Sequence, residues 1–359
     1  MNAMAARVFL ALISIALVLG VAEAAFRLRA SEGDALRGLH RSRADAPWLY
    51  ELEPGARTRL GVSSDVIYEV NAAGYRGPLV PLEKPADAIR ILVLGDSLAF
   101  GYGVAEPKTF VRRLEVGAPG PPRLEAINFG VGGYNPYNEA ALFLGRGAAY
   151  SPDIVLVQFC INDLNDPTAH FDAQTRLELG AIPDEAFPDP RERPPAAAPP
   201  SCWRDPCSCS RVCSAITAVV DRWRGTQAPL DLAALAPRQL PVGPSRRWLG
   251  DRYEEIARAA RAIGAQFAVV VFPYRDQVES DAPSTVQAQL AELGRERGFV
   301  VIDLLPGFRA AQSRLAEDSD PLFLDLWHPS DEGHRVAADA IRGKLESLGW
   351  IPGSDAPSR

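Results

Sequence analysis

A serine, a histidine and an aspartate in this sequence have the residue types needed for nucleophilic acyl transfer. Ser97 follows the aliphatic run at residues 91–94 through a Gly-Asp turn, which is typical of a strand buried on both faces. Ligands of open parallel α/β sheets bind outside the carboxyl ends of the strands, so this hydroxyl is expected to face a crevice. The alternative is that Asp96 and Ser97 only cap the next helix, since both residue types are favoured there.

A serine hydroxyl becomes a good nucleophile only when a base removes its proton. Among the four histidines, His328 is the best placed, because it lies in a loop just before the final amphipathic stretch. Asp325, three residues earlier, can turn its carboxylate onto the imidazole and fix the tautomer that leaves the other nitrogen for the serine. His334, which lies further into the predicted terminal helix, is expected to be a surface or capping residue.

Two loops offer donors for the negative charge that develops on a carbonyl oxygen during acyl transfer. Residues 128–134 follow one predicted strand and contain three glycines, and residues 160–163 follow the next and contain Asn162. Each loop alone has a more ordinary interpretation, because glycines after a strand serve turn geometry and an Asn-Asp pair commonly forms a turn. The loops therefore indicate a site only in combination with the serine and the histidine.

Alternating aliphatic and amphipathic stretches predict the elements that hold these loops. The helical spacing of one buried stripe predicts a helix between residues 245 and 264, and Asn135 and Pro136 favour the start of another over residues 137–149. Strands that alternate with helices imply right-handed crossovers and a parallel sheet of about five strands. The predicted strands are residues 89–94, 124–129, 154–159, 267–272 and 299–304, and the stripe is Leu249, Tyr253, Ile256, Ala260 and Ile263.

In order and spacing, four sequence blocks resemble the GDSL or SGNH family of serine hydrolases. They are the Gly-Asp-Ser-Leu at 95–98, the glycine loop at 128–134, Asn162-Asp163 and Asp325-x-x-His328. The resemblance extends from residue 89 to about residue 348, apart from an insertion. It implies a three-layer flavodoxin-like α/β fold and ester hydrolysis that needs no metal or organic cofactor.

The same resemblance implies roles for individual residues. Ser97 would be the nucleophile, and His328 would be its base, oriented by Asp325. The backbone N–H of Ser97, the backbone of Gly133 and the side chain of Asn162 would form the oxyanion hole. One position departs from the family pattern, because Cys160 stands where the third block commonly has glycine. Cys160 is not expected to be an alternative nucleophile, since nothing nearby in sequence supplies a base.

The amino terminus predicts export. Arg7 is followed by fifteen uncharged, mostly aliphatic residues, a length typical of signal peptides and shorter than the roughly 20 residues that span a bilayer. Residues 22–24 fit a cleavage site, but apolar residues continue beyond Glu23, so a retained membrane anchor fits equally well. The two interpretations predict secretion or an inner-membrane anchor facing the periplasm or cell exterior. The segment, together with residues 71–77, resembles a membrane-tethered bacterial branch of the family. The alternative to both export interpretations is that the apolar segment after Arg7 is a buried amphipathic helix.

The domain organisation follows from these patterns. We assign residues 1–30 to the leader or anchor, 31–88 to an amino-terminal extension with a small strand or hairpin, and 89–350 to the hydrolase domain. A proline- and cysteine-rich insertion is predicted at about residues 172–244. In an exported chain its cysteine cluster predicts two disulfides of open pairing, with a zinc site as the alternative. The cluster comprises Cys202, Cys207, Cys209 and Cys213.

Composition limits the partners. The 359 residues are 47% hydrophobic and 23% charged, which is ordinary for a globular protein. A net charge of −7 without a basic cluster argues against nucleic acid. The expected partner is a small-molecule or carbohydrate ester. Two alternatives stay open, an O-acyltransferase acting on a cell-envelope or extracellular polysaccharide and a non-catalytic binding module.

Overall fold

The computed structural model describes most of the predicted hydrolase domain and extension. Most of the leader, the whole cysteine cluster and most of the predicted insertion lie outside the described residues. Within the described part, no helix is both long and apolar enough to cross a membrane. The described residues are 38–59, 66–115, 122–164, 183–187, 244–280, 283–316 and 319–353, with isolated positions 14, 17, 18, 20 and 21.

A five-stranded parallel sheet forms the centre of the described fold. Its strand order is β6-β5-β7-β8-β9, the order of flavodoxin-like doubly wound folds, and it confirms the predicted fold class. Almost every residue of β5, β7 and β8 is buried, which explains why their sequences are continuous aliphatic runs. The strands are β5 (Ala88–Gly95), β6 (Arg123–Gly130), β7 (Ile154–Phe159), β8 (Gln266–Val271) and β9 (Val300–Asp303).

The register of the sheet brings three predicted site loops to one edge. Gly95 at the end of β5 lies opposite Gly130 at the end of β6. Leu94 of β5 lies opposite Val157 of β7. Because the strands are parallel, the residues that follow β5, β6 and β7 all emerge at the carboxyl edge of the sheet.

Helices cover both faces of the sheet. The helices α3, α4 and α6 pack together on one face, whereas α2, α7 and α8 pack together on the other. The helices are α1 (Ser97–Phe100), α2 (Phe110–Arg113), α3 (Pro136–Gly145), α4 (Pro244–Ala262), α5 (Arg275–Glu279), α6 (Thr285–Arg297), α7 (Leu305–Gln312) and α8 (Asp331–Ser347). Short 3₁₀ turns occur at Glu106–Lys108, Gly147–Tyr150, Ile161–Leu164 and Asp184–Ala186.

Two helix predictions differ from the structure in their ends. In α4, the stripe from Leu249 to Ala260 is buried, but Ile263 lies beyond the last turn and is 44% exposed. The helix expected over residues 137–149 ends at Gly145 and continues as a 3₁₀ turn. Asn135 caps α3 as predicted, because its side-chain oxygen accepts the N–H of Tyr137 at 3.0 Å.

The amino-terminal extension forms two short antiparallel ribbons. The first pairs β1 (His40–Ser42) with β2 (Tyr50–Leu52), and the second pairs β3 (Arg57–Thr58) with β4 (Tyr68–Glu69). A bridge between Arg76 and Asn128 then joins the extension to β6, an edge strand of the central sheet. The extension therefore packs directly against the domain that carries the site loops.

Candidate active site

Ser97 is the first residue of α1, immediately after β5. Asp96 precedes it, and the Asp96 carboxylate accepts the N–H of Leu98 at 2.8 Å, which caps the helix. The turn requires glycine at position 95, since its φ is +155° and a Cβ there would lie 2.5 Å from Oε1 of Gln158. Capping by Asp96 and presentation of Ser97 at the strand end therefore occur in the same turn.

Gln158 of β7 holds this turn in place. Its Oε1 atom accepts the N–H of Asp96 at 3.1 Å and the N–H of Ala99 at 3.2 Å, and the residue is fully buried. Gln158 is a site residue that the sequence motifs did not predict. A glutamine inside an otherwise aliphatic strand was the available signal, because a buried polar side chain normally has hydrogen-bond partners.

The structure brings His328 next to Ser97 although 231 positions separate them in the chain. The Ser97 Oγ atom lies 2.9 Å from Nε2 of His328. On the other side of the ring, Nδ1 lies 2.7 Å from Oδ2 of Asp325. The second carboxylate oxygen of Asp325 accepts the N–H of Trp327 at 3.0 Å and that of His328 at 2.8 Å.

The environment keeps Asp325 ionised. Partial burial alone would raise the pKa of its carboxyl, but hydrogen bonds from the His328 ring and from two backbone N–H groups lower it below its usual value. An ionised carboxylate accepts a hydrogen bond from Nδ1–H, which keeps the proton on Nδ1 and leaves Nε2 as an acceptor for the Ser97 hydroxyl. The arrangement is therefore that of a serine prepared for deprotonation.

The three predicted oxyanion-hole residues all lie in described turns at one edge of the sheet. Ser97 and Gly133 both follow strands that end at the carboxyl edge of the sheet, and Gly133 adopts a φ of +80°, which favours glycine. Asn162 lies in the 3₁₀ turn Ile161–Leu164 after β7, at the same edge. The Asn162 side chain lies outside the described residues.

Cys160 and His334 are both buried. The Cys160 thiol is 1% exposed, and the backbone N–H of Cys160 donates to Asp163 at 3.2 Å. The expectation of a surface position for His334 is wrong, since its ring is fully buried and its Nδ1 accepts the N–H of Phe110 at 3.1 Å. His334 acts as a cap, but for the short helix α2 rather than for its own.

Buried acidic side chains lie near the site. Glu139 and Asp163 are fully buried, and burial raises the pKa of each carboxyl well above its usual range. The negative charge of Asp96 raises both pKa values further, and that of Glu139 adds to the shift of Asp163. Neither Glu139 carboxylate oxygen has a hydrogen-bond partner within the described residues. No group of three or more His, Cys, Asp or Glu side chains in the described part could hold a metal ion.

Comparison with known proteins identifies the family. The model of the GDSL-like lipase/acylhydrolase family matches residues 93–336, which is more than half of the chain. The chain therefore belongs to this family, and it is a serine hydrolase that acts on carboxylic ester bonds. No curated protein matches it in sequence.

Solved structures with a similar fold include several esterases. An alpha/beta hydrolase from the metagenome of Lake Arreo, Spain, is 14% identical and has a TM-score of 0.42, with 74% of this chain and 96% of that one covered. A catalytic mutant of an acetylxylan esterase from Geobacillus stearothermophilus is 13% identical, with a TM-score of 0.41 and coverage of 74% and 96%. The acetyl xylan esterase AlAXEase is 12% identical, with a TM-score of 0.42 and coverage of 72% and 100%.

Proposed function

We propose that this hydrolase is an exported serine esterase in which Ser97 is the nucleophile, His328 the general base and Asp325 the residue that orients His328. The observation that carries the proposal is the continuous chain of contacts from Ser97 Oγ to His328 Nε2, at 2.9 Å, and from His328 Nδ1 to Asp325, at 2.7 Å. Both distances are within hydrogen-bond range, so the Ser97 proton can pass to Nε2 without rearrangement while Asp325 keeps its hydrogen bond to Nδ1–H.

The reaction proceeds through an acyl-enzyme. Ser97 Oγ attacks the ester carbonyl carbon while its proton passes to Nε2 of His328, and a tetrahedral oxyanion forms. When this intermediate collapses, the C–O bond of the ester breaks and the leaving alcohol takes the proton from His328. Water then repeats the sequence, with His328 again as base, and releases the carboxylic acid and the Ser97 hydroxyl.

The oxyanion is stabilised by the backbone N–H groups of Ser97 and Gly133 and by the Asn162 side-chain amide. The placement of all three after β5, β6 and β7 at one edge of the sheet supports this assignment. Replacement of Asn162 by alanine is expected to lower kcat by about 10²- to 10³-fold, the usual cost of one oxyanion-hole donor.

Substitution of Ser97 tests the assignment. Ser97→Ala should abolish hydrolysis of p-nitrophenyl acetate and labelling by a fluorophosphonate probe, while Ser347→Ala, an exposed serine at the end of α8, should change neither. Unchanged hydrolysis by the Ser97→Ala variant would show that the nucleophile lies elsewhere. Thermal unfolding of both variants checks that the alanine at position 97 leaves the fold intact.

The natural acceptor of the acyl group decides between hydrolase and acyltransferase. The same acyl-enzyme can transfer its acyl group to water or to a sugar hydroxyl of an envelope polysaccharide, and the proposed substrate is a small-molecule or carbohydrate ester. Products should be analysed with and without an added oligosaccharide acceptor. Release of free acid at an unchanged rate in both samples supports the hydrolase, whereas an acylated oligosaccharide supports the transferase.

Export is supported by the apolar stretch after Arg7. Fractionation of cells that produce the full chain should place activity outside the cytoplasm. The mass of the protein recovered there distinguishes cleavage near residues 22–24 from a retained anchor. Activity confined to the cytoplasmic fraction would contradict export.

A further inference from the structure

The first ribbon of the extension holds the glycine loop through one tyrosine. Tyr50 of β2 is fully buried, and its hydroxyl donates to the carbonyl oxygen of Gly132 at 3.2 Å. This oxygen and the N–H of Gly133 belong to the same peptide group. Because that group is planar and normally trans, its C=O and N–H point in opposite directions, and a donor at the oxygen fixes the direction of the N–H. It also polarises the peptide and strengthens the N–H as a donor.

A second contact closes the link between the ribbon and the glycine loop. Tyr134, the residue after Gly133, donates its hydroxyl to the backbone oxygen of Tyr50. The two tyrosine rings meet edge to face, with their centroids 5.0 Å apart. The glycine loop and β2 are therefore joined in both directions, and the loop cannot rotate unless the ribbon moves with it.

The second ribbon contacts the loop that follows α1. The Tyr68 hydroxyl accepts the N–H of Gly103 at 2.7 Å, and the Tyr68 ring stacks on Phe100 and Tyr102 with centroid distances of 5.4 and 6.4 Å. Tyr102 in turn lies against the His328 ring, with the centroids 4.7 Å apart. Tyr68 therefore contacts the His328 ring indirectly, through Tyr102.

Arg76 fastens the same loop to the extension. Its guanidinium donates to the carbonyl oxygens of Phe100 at 2.8 Å, Gly101 at 2.7 Å and Val104 at 2.7 Å, and the residue is 1% exposed. The planar fork of an arginine holds such acceptors in a fixed geometry. The guanidinium also lies over the Tyr68 ring, 4.8 Å from its centroid. Arg76 therefore anchors the carboxyl end of the helix that begins at Ser97.

We propose that the amino-terminal extension positions the oxyanion-hole peptide and the catalytic histidine of the active site. Tyr50 orients the peptide that carries the Gly133 N–H, and Tyr68 with Arg76 fixes the loop that places Tyr102 against His328. None of the three touches the reacting atoms, so they are positioning residues. The proposal rests on the proposed roles of Ser97, Gly133 and His328.

The expected effect is on kcat, since positioning matters most in the transition state. Active-site groups must be held within about 0.5 Å of their productive geometry. A misplaced donor costs less than an absent one, so Tyr50→Phe and Tyr68→Phe should each lower kcat by about tenfold, against about 10²- to 10³-fold for loss of a whole oxyanion donor. KM should change little, because neither hydroxyl contacts the substrate.

Each variant has a distinct spectroscopic signature in the full chain labelled with ¹³C-histidine. Tyr68→Phe should move the His328 ring resonances, through the altered ring current of Tyr102, and leave those of His40 unchanged. Tyr50→Phe should move the His40 resonances and leave those of His328 unchanged, because the His40 ring contacts Tyr50 with a centroid distance of 5.8 Å. The His328 signals are identified by their loss in His328→Gln.

Leu290→Ala is the matched control for a merely structural effect. Leu290 is fully buried in α6, away from the site, so its truncation should lower the unfolding temperature and leave kcat per titrated active site unchanged. Either of two results would overturn the proposal: an unchanged kcat per titrated site in both tyrosine variants, or unmoved His328 resonances in Tyr68→Phe. Failure of the proposed function is recognised separately, by activity that persists in Ser97→Ala.

Discussion

Asp325 binds His328 at two places, through the ring and through the backbone. Its Oδ2 atom lies 2.7 Å from the ring nitrogen Nδ1, while its Oδ1 atom accepts the backbone N–H of the same residue at 2.8 Å. One carboxylate therefore fixes both the tautomer of the imidazole and the turn of the chain that carries it.

This double contact makes Asp325→Asn an informative variant. The asparagine oxygen can still accept the backbone N–H, but its NH₂ group would donate to Nδ1 and favour the tautomer that cannot accept the Ser97 proton. We expect kcat to fall by about 10³- to 10⁴-fold with an unfolding temperature close to that of the parent. Steady-state kinetics with a p-nitrophenyl ester and thermal unfolding measure the two quantities. A fall of less than about tenfold would contradict the role given to Asp325.

Gly95→Ala tests the turn that presents Ser97. The added Cβ would lie 2.5 Å from Gln158 Oε1 and 2.7 Å from Ala99 Cβ, so the turn must shift. We expect a loss of about 1–3 kcal/mol in the free energy of unfolding, as for other overpacked sites, and a clear loss of kcat.

Gly343→Ala is the control for that substitution. Position 343 is exposed in α8, and a Cβ there meets nothing within 4 Å. Alanine should therefore stabilise the protein by about 0.5–1 kcal/mol and leave kcat unchanged. Equal effects at positions 95 and 343 in urea unfolding would contradict the tight turn.

The sheet could be predicted from sequence because buried parallel strands have a distinctive pattern. The predicted strand 89–94 corresponds to β5 (Ala88–Gly95), and the other four runs also fall on strands of the sheet. Parallel strands place their following loops at one edge, so the proximity of the Ser97 loop to the glycine loop could be inferred from the same pattern.

The role of the extension could not be predicted, because its contacts depend on single side chains far apart in sequence. Tyr50 and Gly132 are 82 positions apart, and Tyr68 and Gly103 are 35 apart. The strands β1 to β4 are two or three residues long, too short for a periodic pattern. A small strand or hairpin was predicted for the extension, whereas the structure has two short ribbons there.

Two buried glutamates should respond to pH with opposite signs. Burial, reinforced by the negative charge of Asp96, raises the pKa of Glu139 well above 4.5. The unfolded chain then loses this proton at a lower pH than the folded chain, so Glu139 lowers stability progressively as pH rises above about 4.5, by up to about 1.4 kcal/mol per pH unit. Glu139→Gln removes this dependence and should raise stability more at pH 8 than at pH 5.

Glu51→Gln is the contrasting variant. Burial alone would raise the pKa of Glu51, but hydrogen bonds from Arg41 and Arg43 and the charge of Arg146 lower it. Its ion pairs therefore stabilise the fold above about pH 4.5 and are lost as pH falls through the lowered pKa. Glu51→Gln should cost about 1.5–3 kcal/mol at pH 8, because the buried side chain loses its charge-assisted hydrogen bonds to three partly exposed arginines. Urea unfolding at pH 5 and pH 8 measures the change in the free energy of unfolding for each variant. If Glu139→Gln and Glu51→Gln changed stability in the same direction at pH 8, the predicted difference between the two sites would be wrong.

His334 should make the protein sensitive to acid. Burial, aided by the positive charges of Arg76 and Arg113, lowers its pKa from 6.5 to about 3. As pH falls from about 6.5 to about 3, the unfolded chain binds a proton that the folded chain does not, so stability decreases over this interval. At pH 5 the loss relative to neutral pH is about 2 kcal/mol.

His334→Asn should flatten that part of the stability curve. The asparagine oxygen can replace Nδ1 as the acceptor for the N–H of Phe110, which lies 3.1 Å from Nδ1, and it does not titrate. Because His334 stacks on the Phe110 ring with centroids 5.9 Å apart, the variant loses some stability at pH 7.5. Between pH 7.5 and pH 5, His334 should cost the parent about 2 kcal/mol of its free energy of unfolding, a loss that the variant does not share. The difference in stability between parent and variant should therefore shift by that amount in favour of the variant. A gap that stays constant in urea unfolding at the two pH values would mean that His334 takes up its proton in the folded protein.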